Sequence, residues 1–145
     1  MSNTNETFAV SVHILTLLAA NQDATLTSDA IATSVDTHPV VIRRTMSHLR
    51  HHGLVDSRPG TNGGWRLVKP AEQISLCEVY RAISHDSVLS MHSHPNPICR
   101  VGGHIQRPLQ MIFGQAQSAM EAALDRFSIA DILHDVISAQ TGQTL

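Results

Sequence analysis

The segment DTHPVVIRRTMSHLRHHGLV, residues 36–55, constrains the fold more than any other part of the chain. Pro39 suits the first position of a helix, where its missing N–H is no loss and its fixed φ is already helical. Gly53 suits the place just past a helix end, where the backbone turns left-handed. Together they predict a helix over 38–52, with Ile42, Met46 and Leu49 at helical spacing on the core side. Val40, Arg43, Arg44, Ser47 and His51 fall on the opposite face, and 38–52 contains no acid.

After Gly53 the helical period stops. Leu54 and Val55 enter a short strand, RPGTNGGWRL supplies the proline, asparagine and glycines of a reversal, and 65–68 return as a second strand before Pro70. Upstream, Phe8, Val12, Leu15 and Ala19, widened by Leu18, predict an amphipathic helix over 6–21. Thr27 is placed to cap a short helix that carries Asp29 in its first turn and ends near Val35. Downstream, SLCEVYRAIS puts Leu76, Val79, Tyr80 and Ile83 on one helical face. Aromatics are only 3% of the chain, so the core is aliphatic, which favours helices over a β-sandwich.

The periodicity lapses over 85–103 and returns in Ile105, Leu109, Ile112, Ala116, Met120, Ala123 and Phe127, a stripe about six turns long. Such a helix needs cover for its apolar face, and pairing with a second copy is the expected cover, through Ile105, Leu109, Ile112, Phe113, Ala116, Met120 and Phe127. A last short helix is expected over 129–137. The expected organisation is a winged helix-turn-helix unit over 1–84, a loop over 85–103, and a dimerisation helix with a short terminal helix over 104–145. The fold class is mostly α with a small β-hairpin.

Charge is segregated. Residues 1–37 carry four acids and no Lys or Arg, 38–70 carry six cations against Asp56 alone, and the rest is net acidic. A basic middle third points to a polyanion. A helix fits the major groove and reads bases with its N-terminal residues, so His38, Val40, Arg43, Arg44, Ser47 and His48 are candidate reading residues. Arg58, Gly60, Thr61, Asn62, Gly63, Arg66 and Lys69 are candidate wing contacts to the flanking backbone, the glycines permitting close approach and the cations supplying attraction. The expected partner is double-stranded DNA with a pseudo-palindromic operator. The competing class is a winged-helix module whose basic face binds an acidic protein.

Enzyme motifs are lacking: there is no HExxH, no nucleophile elbow, no GK[ST] after the glycines, and no carboxylate between Asp86 and Glu121. The apolar run 8–20 is too short to span a bilayer and no cation precedes it, so it is read as a core helix. Two cysteines far apart, Cys77 and Cys99, give no disulfide framework and fit a reducing, cytoplasmic setting. Cys77 is expected to be core. Cys99 is a candidate redox sensor, with Arg100 beside it and a helix start near His104 as means of lowering its pKa. His92, His94, Cys99 and His104 offer a possible zinc or copper set, in no established spacing, so no metal ligands are assigned and no cofactor is expected.

The run HPVVIRRTMSHLRHHGLVDSRPGTNGGWRLVKPAEQISLCEVYRAIS closely resembles the Rrf-two type of bacterial winged-helix regulators, over about residues 8–85 and more loosely beyond. The resemblance, to a type of repressors, implies a homodimeric transcription factor with the long C-terminal helix pairing two subunits, and a redox or small-molecule effector of unknown identity is expected. Members that hold an iron-sulfur cluster carry three cysteines in that loop. This chain has Cys99 alone there, too few thiolates for a cluster. Its wing also departs from the family pattern, with Trp65 where many members carry tyrosine.

Overall fold

The computed structural model describes residues 4–142. The chain runs α1 (Thr4–Ala20), α2 (Ser28–Val35), α3 (Pro39–His51), β1 (Val55–Arg58), β2 (Gly64–Leu67), a 3-10 turn at Ala71–Gln73, α4 (Leu76–Ile83), α5 (Gln106–Leu124) and α6 (Ile129–Gly142). This is a mostly helical winged helix-turn-helix with a long C-terminal helix.

The helix boundaries follow the local chemistry. Thr27 Oγ1 accepts the Ala30 N–H at 3.1 Å and so caps α2. Asp36 ends α2 in the left-handed conformation at φ 59, a residue type that tolerates it, and starts the turn into α3. At the far end of α3, Gly53 has φ 74, its N–H bonds to Arg50 O at 3.0 Å, and Leu54 N–H bonds to Leu49 O at 3.0 Å. That pair of bonds satisfies the last carbonyls and turns the chain sharply into β1. Ser75 caps α4 by accepting the Glu78 N–H.

Strands β1 and β2 pair antiparallel from Val55↔Leu67 to Arg58↔Gly64. A third partner joins them: Leu26 bridges Trp65 through two backbone bonds of 3.0 and 2.7 Å. Gly64, at φ 151, is required here because a Cβ would lie 2.7 Å from the Leu26 carbonyl oxygen.

One core joins the elements, with Ile14, Leu15 and Leu18 of α1, Ile31 of α2, Ile42, Met46 and Leu49 of α3, and Val79 of α4 all sealed from solvent. The buried face of α1 is wider than the expected stripe and takes in Ser11 and Thr16, whose hydroxyls bond back to the carbonyls of Thr7 and Val12. Cys77 is buried on α4, as expected. Phe8 meets Tyr80 edge to face at 5.7 Å.

The C-terminal third departs from expectation in two places. Phe127 lies beyond α5, in the link to α6, because Ser128 and Asp131 start a new helix with a reciprocal cap: Asp131 N–H donates to Ser128 Oγ at 3.1 Å and Ser128 N–H to Asp131 Oδ2 at 2.9 Å. The Phe127 carbonyl accepts the Leu76 N–H at 2.9 Å, and Ile129 N–H donates to Ile74 O at 2.9 Å. This stitch buries Ile129 completely in the common core and packs α6 along α1. The final helix also continues to Gly142 instead of stopping near 137.

Candidate nucleic-acid interface

The outer face of α3 is cationic and open. Burial of Ile42, Thr45, Met46 and Leu49 fixes the rotation of the helix, which leaves Val40, Arg43, Arg44 and Ser47 in solvent. Among the described residues, Arg43, Arg44, Arg50 and Arg58 have no carboxylate partner, whereas Arg66, Lys69 and Arg81 do. No acid lies on α3 to neutralise it.

His38 does a different job from the one expected of a free reading residue. It is the N-cap of α3, its Nδ1 accepting the Val40 N–H at 3.2 Å, which leaves only Nε2 to face outward. His48 is half-buried, with its ring 5.8 Å from that of His85 at the start of the loop. His52 Nδ1 lies 3.0 Å from the His48 carbonyl and closes the helix end.

The wing presents Arg58, Gly60, Thr61 and Asn62 at an exposed tip. Two of its cations are engaged. Arg66 faces its cross-strand neighbour Asp56, with Nη2 3.5 Å from Oδ2 and both side chains about half exposed, a geometry that leaves the pair weak and exchangeable. Lys69 Nζ lies 2.6 Å from Glu78 Oε1, which ties the exit of the wing to α4 and competes with any phosphate for that ammonium. Between the wing and the α1–α2 connection lies a cleft of about 680 Å³, walled by Gln22, Asp23 and Thr25 on one side and by Arg58, Asn62 and Arg66 on the other. Gln22 and Thr25 are the neighbours that sequence reasoning missed. The signal was the Leu26–Trp65 pairing, which no local pattern carries.

The loop over 85–103 has no regular secondary structure, only turns and bends. Cys99 is exposed. The backbone N–H of Gly102, and next that of Val101, donate to its sulfur and hold its pKa below the ordinary thiol value, against a smaller opposing desolvation. The expected helix start is not the cause: α5 begins at Gln106, and His104 closes a turn with its Nδ1 3.0 Å from the Arg100 carbonyl. His92, His94, Cys99 and His104 are not drawn together. Among the described residues, no three His, Cys, Asp or Glu side chains stand where they could share a metal ion.

Of the expected pairing residues, Leu109, Phe113 and Met120 are half-buried, Ile112 is 57% exposed and its neighbour Met111 60%. No residue of α5 is buried. Polar bonds tie it to the rest of the chain: Arg81 Nε to Glu121 Oε1 at 2.9 Å, and Gln117 between Tyr80 Oη and the Val88 N–H. No described helix is long and apolar enough to cross a membrane.

A cationic helix set beside a three-membered wing, with a long separate helix, is the architecture of winged helix-turn-helix regulators. The model of the Rrf2 family, described as iron-dependent transcriptional regulators, matches residues 4–135, and the chain belongs to this family of regulators, not to a family of enzymes. YwnA of Bacillus subtilis (strain 168), inferred to be an HTH-type transcriptional regulator, is 40% identical over 131 residues that cover 90% of this chain and 96% of YwnA. A crystal structure of a regulator from Lactobacillus plantarum, its role likewise inferred, superposes with TM-score 0.78 at 25% identity over 94% of this chain and 96% of that one. The global cysteine regulator CymR of B. subtilis shares the fold, with TM-score 0.68 at 20% identity over 92% and 98% of the two chains. The family description mentions iron, and the donors here do not fit a cluster: the loop offers one thiol, and the other cysteine is buried in α4.

Proposed function

We propose that the protein is a homodimeric repressor that binds a pseudo-palindromic DNA operator, with α3 in the major groove and the wing on the flanking backbone. One observation carries this reading: Arg43 and Arg44 stand exposed and unpaired, among the described residues, on the first turns of a helix that has no acid. A bare guanidinium at that position suits the two acceptors of a guanine edge. Arg58 at the wing supplies a phosphate contact, and Arg66 can exchange Asp56 for a second. Lys69 is left out of the interface because Glu78 already holds it.

The test is selection from a pool of random-core duplexes. Enrichment of a two-fold sequence is expected. Arg43→Ala or Arg44→Ala should then lose about 1 to 3 kcal/mol of discrimination at particular base pairs. Equal losses on selected and random duplex would reduce the arginines to phosphate contacts. A folded protein that enriches nothing would favour the competing role, a basic face for an acidic protein.

For the signal, we propose Cys99 as a thiol that reacts with peroxide. Its thiolate attacks one oxygen of hydrogen peroxide, an S–O bond forms as the O–O bond breaks, and hydroxide leaves to take up a proton as water. No iron-sulfur cluster, zinc or copper enters this reading. DNA binding by Cys99→Ser with and without peroxide is the check, and an oxidant response that survives the substitution would remove Cys99 from the role.

A further inference from the structure

Trp65 is the only tryptophan of the chain, and its position on the wing is set from outside the wing. Its carbonyl accepts the Leu26 N–H at 3.0 Å, its own N–H donates to Leu26 O at 2.7 Å, and its indole Nε1–H donates to Ser28 Oγ at 3.0 Å. Nearby, Thr25 Oγ1 donates to the Asn62 carbonyl at 3.0 Å. Ser28 is the first residue of α2, so the indole fastens the return strand of the wing to the helix-turn-helix itself. A hairpin of two four-residue strands is too short to hold its own attitude in water. The half-buried ring packs against the core, and the absent Cβ of Gly64 lets the strand lie against the Leu26 backbone.

We propose that Trp65 and Ser28 are a positioning pair for DNA recognition: they fix the distance between the wing tip and α3, and so the span between backbone and base contacts on one half-site. This rests on the reading of 38–66 as a DNA interface. A tyrosine hydroxyl sits at a different distance and angle from the ring than an indole N–H, so the tryptophan at this position sets a wing attitude of its own.

The experiment compares Ser28→Ala, Trp65→Phe and the double variant with the wild type, using the duplex that the wild type enriches from a random-core pool. Each single change should raise the dissociation constant roughly three- to tenfold, the range of one hydrogen bond. The double variant should lose no more than either single, since both remove the same bond. Backbone protection on the flank should fade while base discrimination at the α3 contacts stays, and Ser28→Thr, which keeps the hydroxyl, should recover binding. In the free protein, hydrogen exchange at the Trp65 amide should quicken in Ser28→Ala with the melting temperature little changed. Wild-type affinity and flank protection in both single variants would overturn the proposal, as would multiplying losses in the double. If the wild type enriches no duplex, the DNA reading falls with the role in recognition, while unchanged Trp65 exchange in Ser28→Ala would show separately that the pair does not hold the wing.

Discussion

At the scale of single residues, two positions test the local physics. Gly64 combines φ 151 with a backbone neighbour where a side chain would stand, so Gly64→Ala should cost about 1 to 3 kcal/mol in chemical denaturation. Gly60 has positive φ but open space around it, and alanine there should cost less. Cys99 and Cys77 form a natural control pair. Burial raises the Cys77 pKa, while backbone N–H groups lower that of Cys99. Iodoacetamide should therefore alkylate Cys99 first, with a pH midpoint below that of the same cysteine in urea. The sign follows from linkage: a folded pKa below the unfolded one means the folded state holds fewer protons between the two values. The fold gains from this thiolate above the unfolded pKa and loses the gain as pH falls through the folded one. For Cys77 the order reverses, and its contribution is lost as pH rises past the ordinary thiol range. Equal alkylation rates at neutral pH would contradict the assigned N–H contacts.

At the scale of elements, the C-terminal third divides. Ile129→Ala should cost about 2 to 5 kcal/mol because its side chain is sealed in the common core. Ile112→Ala on α5 should change the stability of an isolated subunit by no more than about 0.5 kcal/mol, since its side chain is more than half exposed. Thermal or urea unfolding of the two variants under dissociating conditions separates them. What could be read from sequence follows the same division. Pro39, Gly53, Thr27 and the glycine-rich reversal after Gly53 act through neighbours a few residues away, so α2, α3 and the wing were legible. The Leu26–Trp65 bridge, the Lys69–Glu78 pair, the His48–His85 contact and the return of α6 join residues that no local period connects. Phe127 fitted the apolar stripe by spacing alone. The cap at Ser128 outranked the stripe, because a reciprocal pair of bonds fixes a helix start more sharply than one apolar position extends the previous helix. Gly63 was assigned to DNA approach, yet a Cβ there would collide with the Arg58 and Gly60 carbonyls, so the turn already requires it within the chain.

At the scale of the whole molecule, α5 leaves an apolar edge exposed. The helix has 19 residues, about 28 Å, with no buried residue and with Met111 and Ile112 well exposed. Polar bonds from Glu121 and Gln117 tie one side of it to the subunit, which leaves Met111 and Ile112 open to a partner. The proposed two-fold pairing of α5 with itself would bury that face and carry two α3 helices at once, as a palindromic site with half-sites about 34 to 36 Å apart would need. Ile112→Glu places a carboxylate in the middle of such an interface, where burial without a partner is costly. The variant should sediment as a monomer with unchanged helix content by circular dichroism. Its affinity for the selected duplex should fall roughly 10²-fold or more, because the second half-site no longer binds at the high effective concentration of a tethered partner. The slope of log K against log salt should fall to about half, since one subunit displaces about half the counterions. A variant that stays dimeric places the interface elsewhere. One that becomes monomeric and yet binds with full affinity and full salt slope would show that each subunit recognises its site alone.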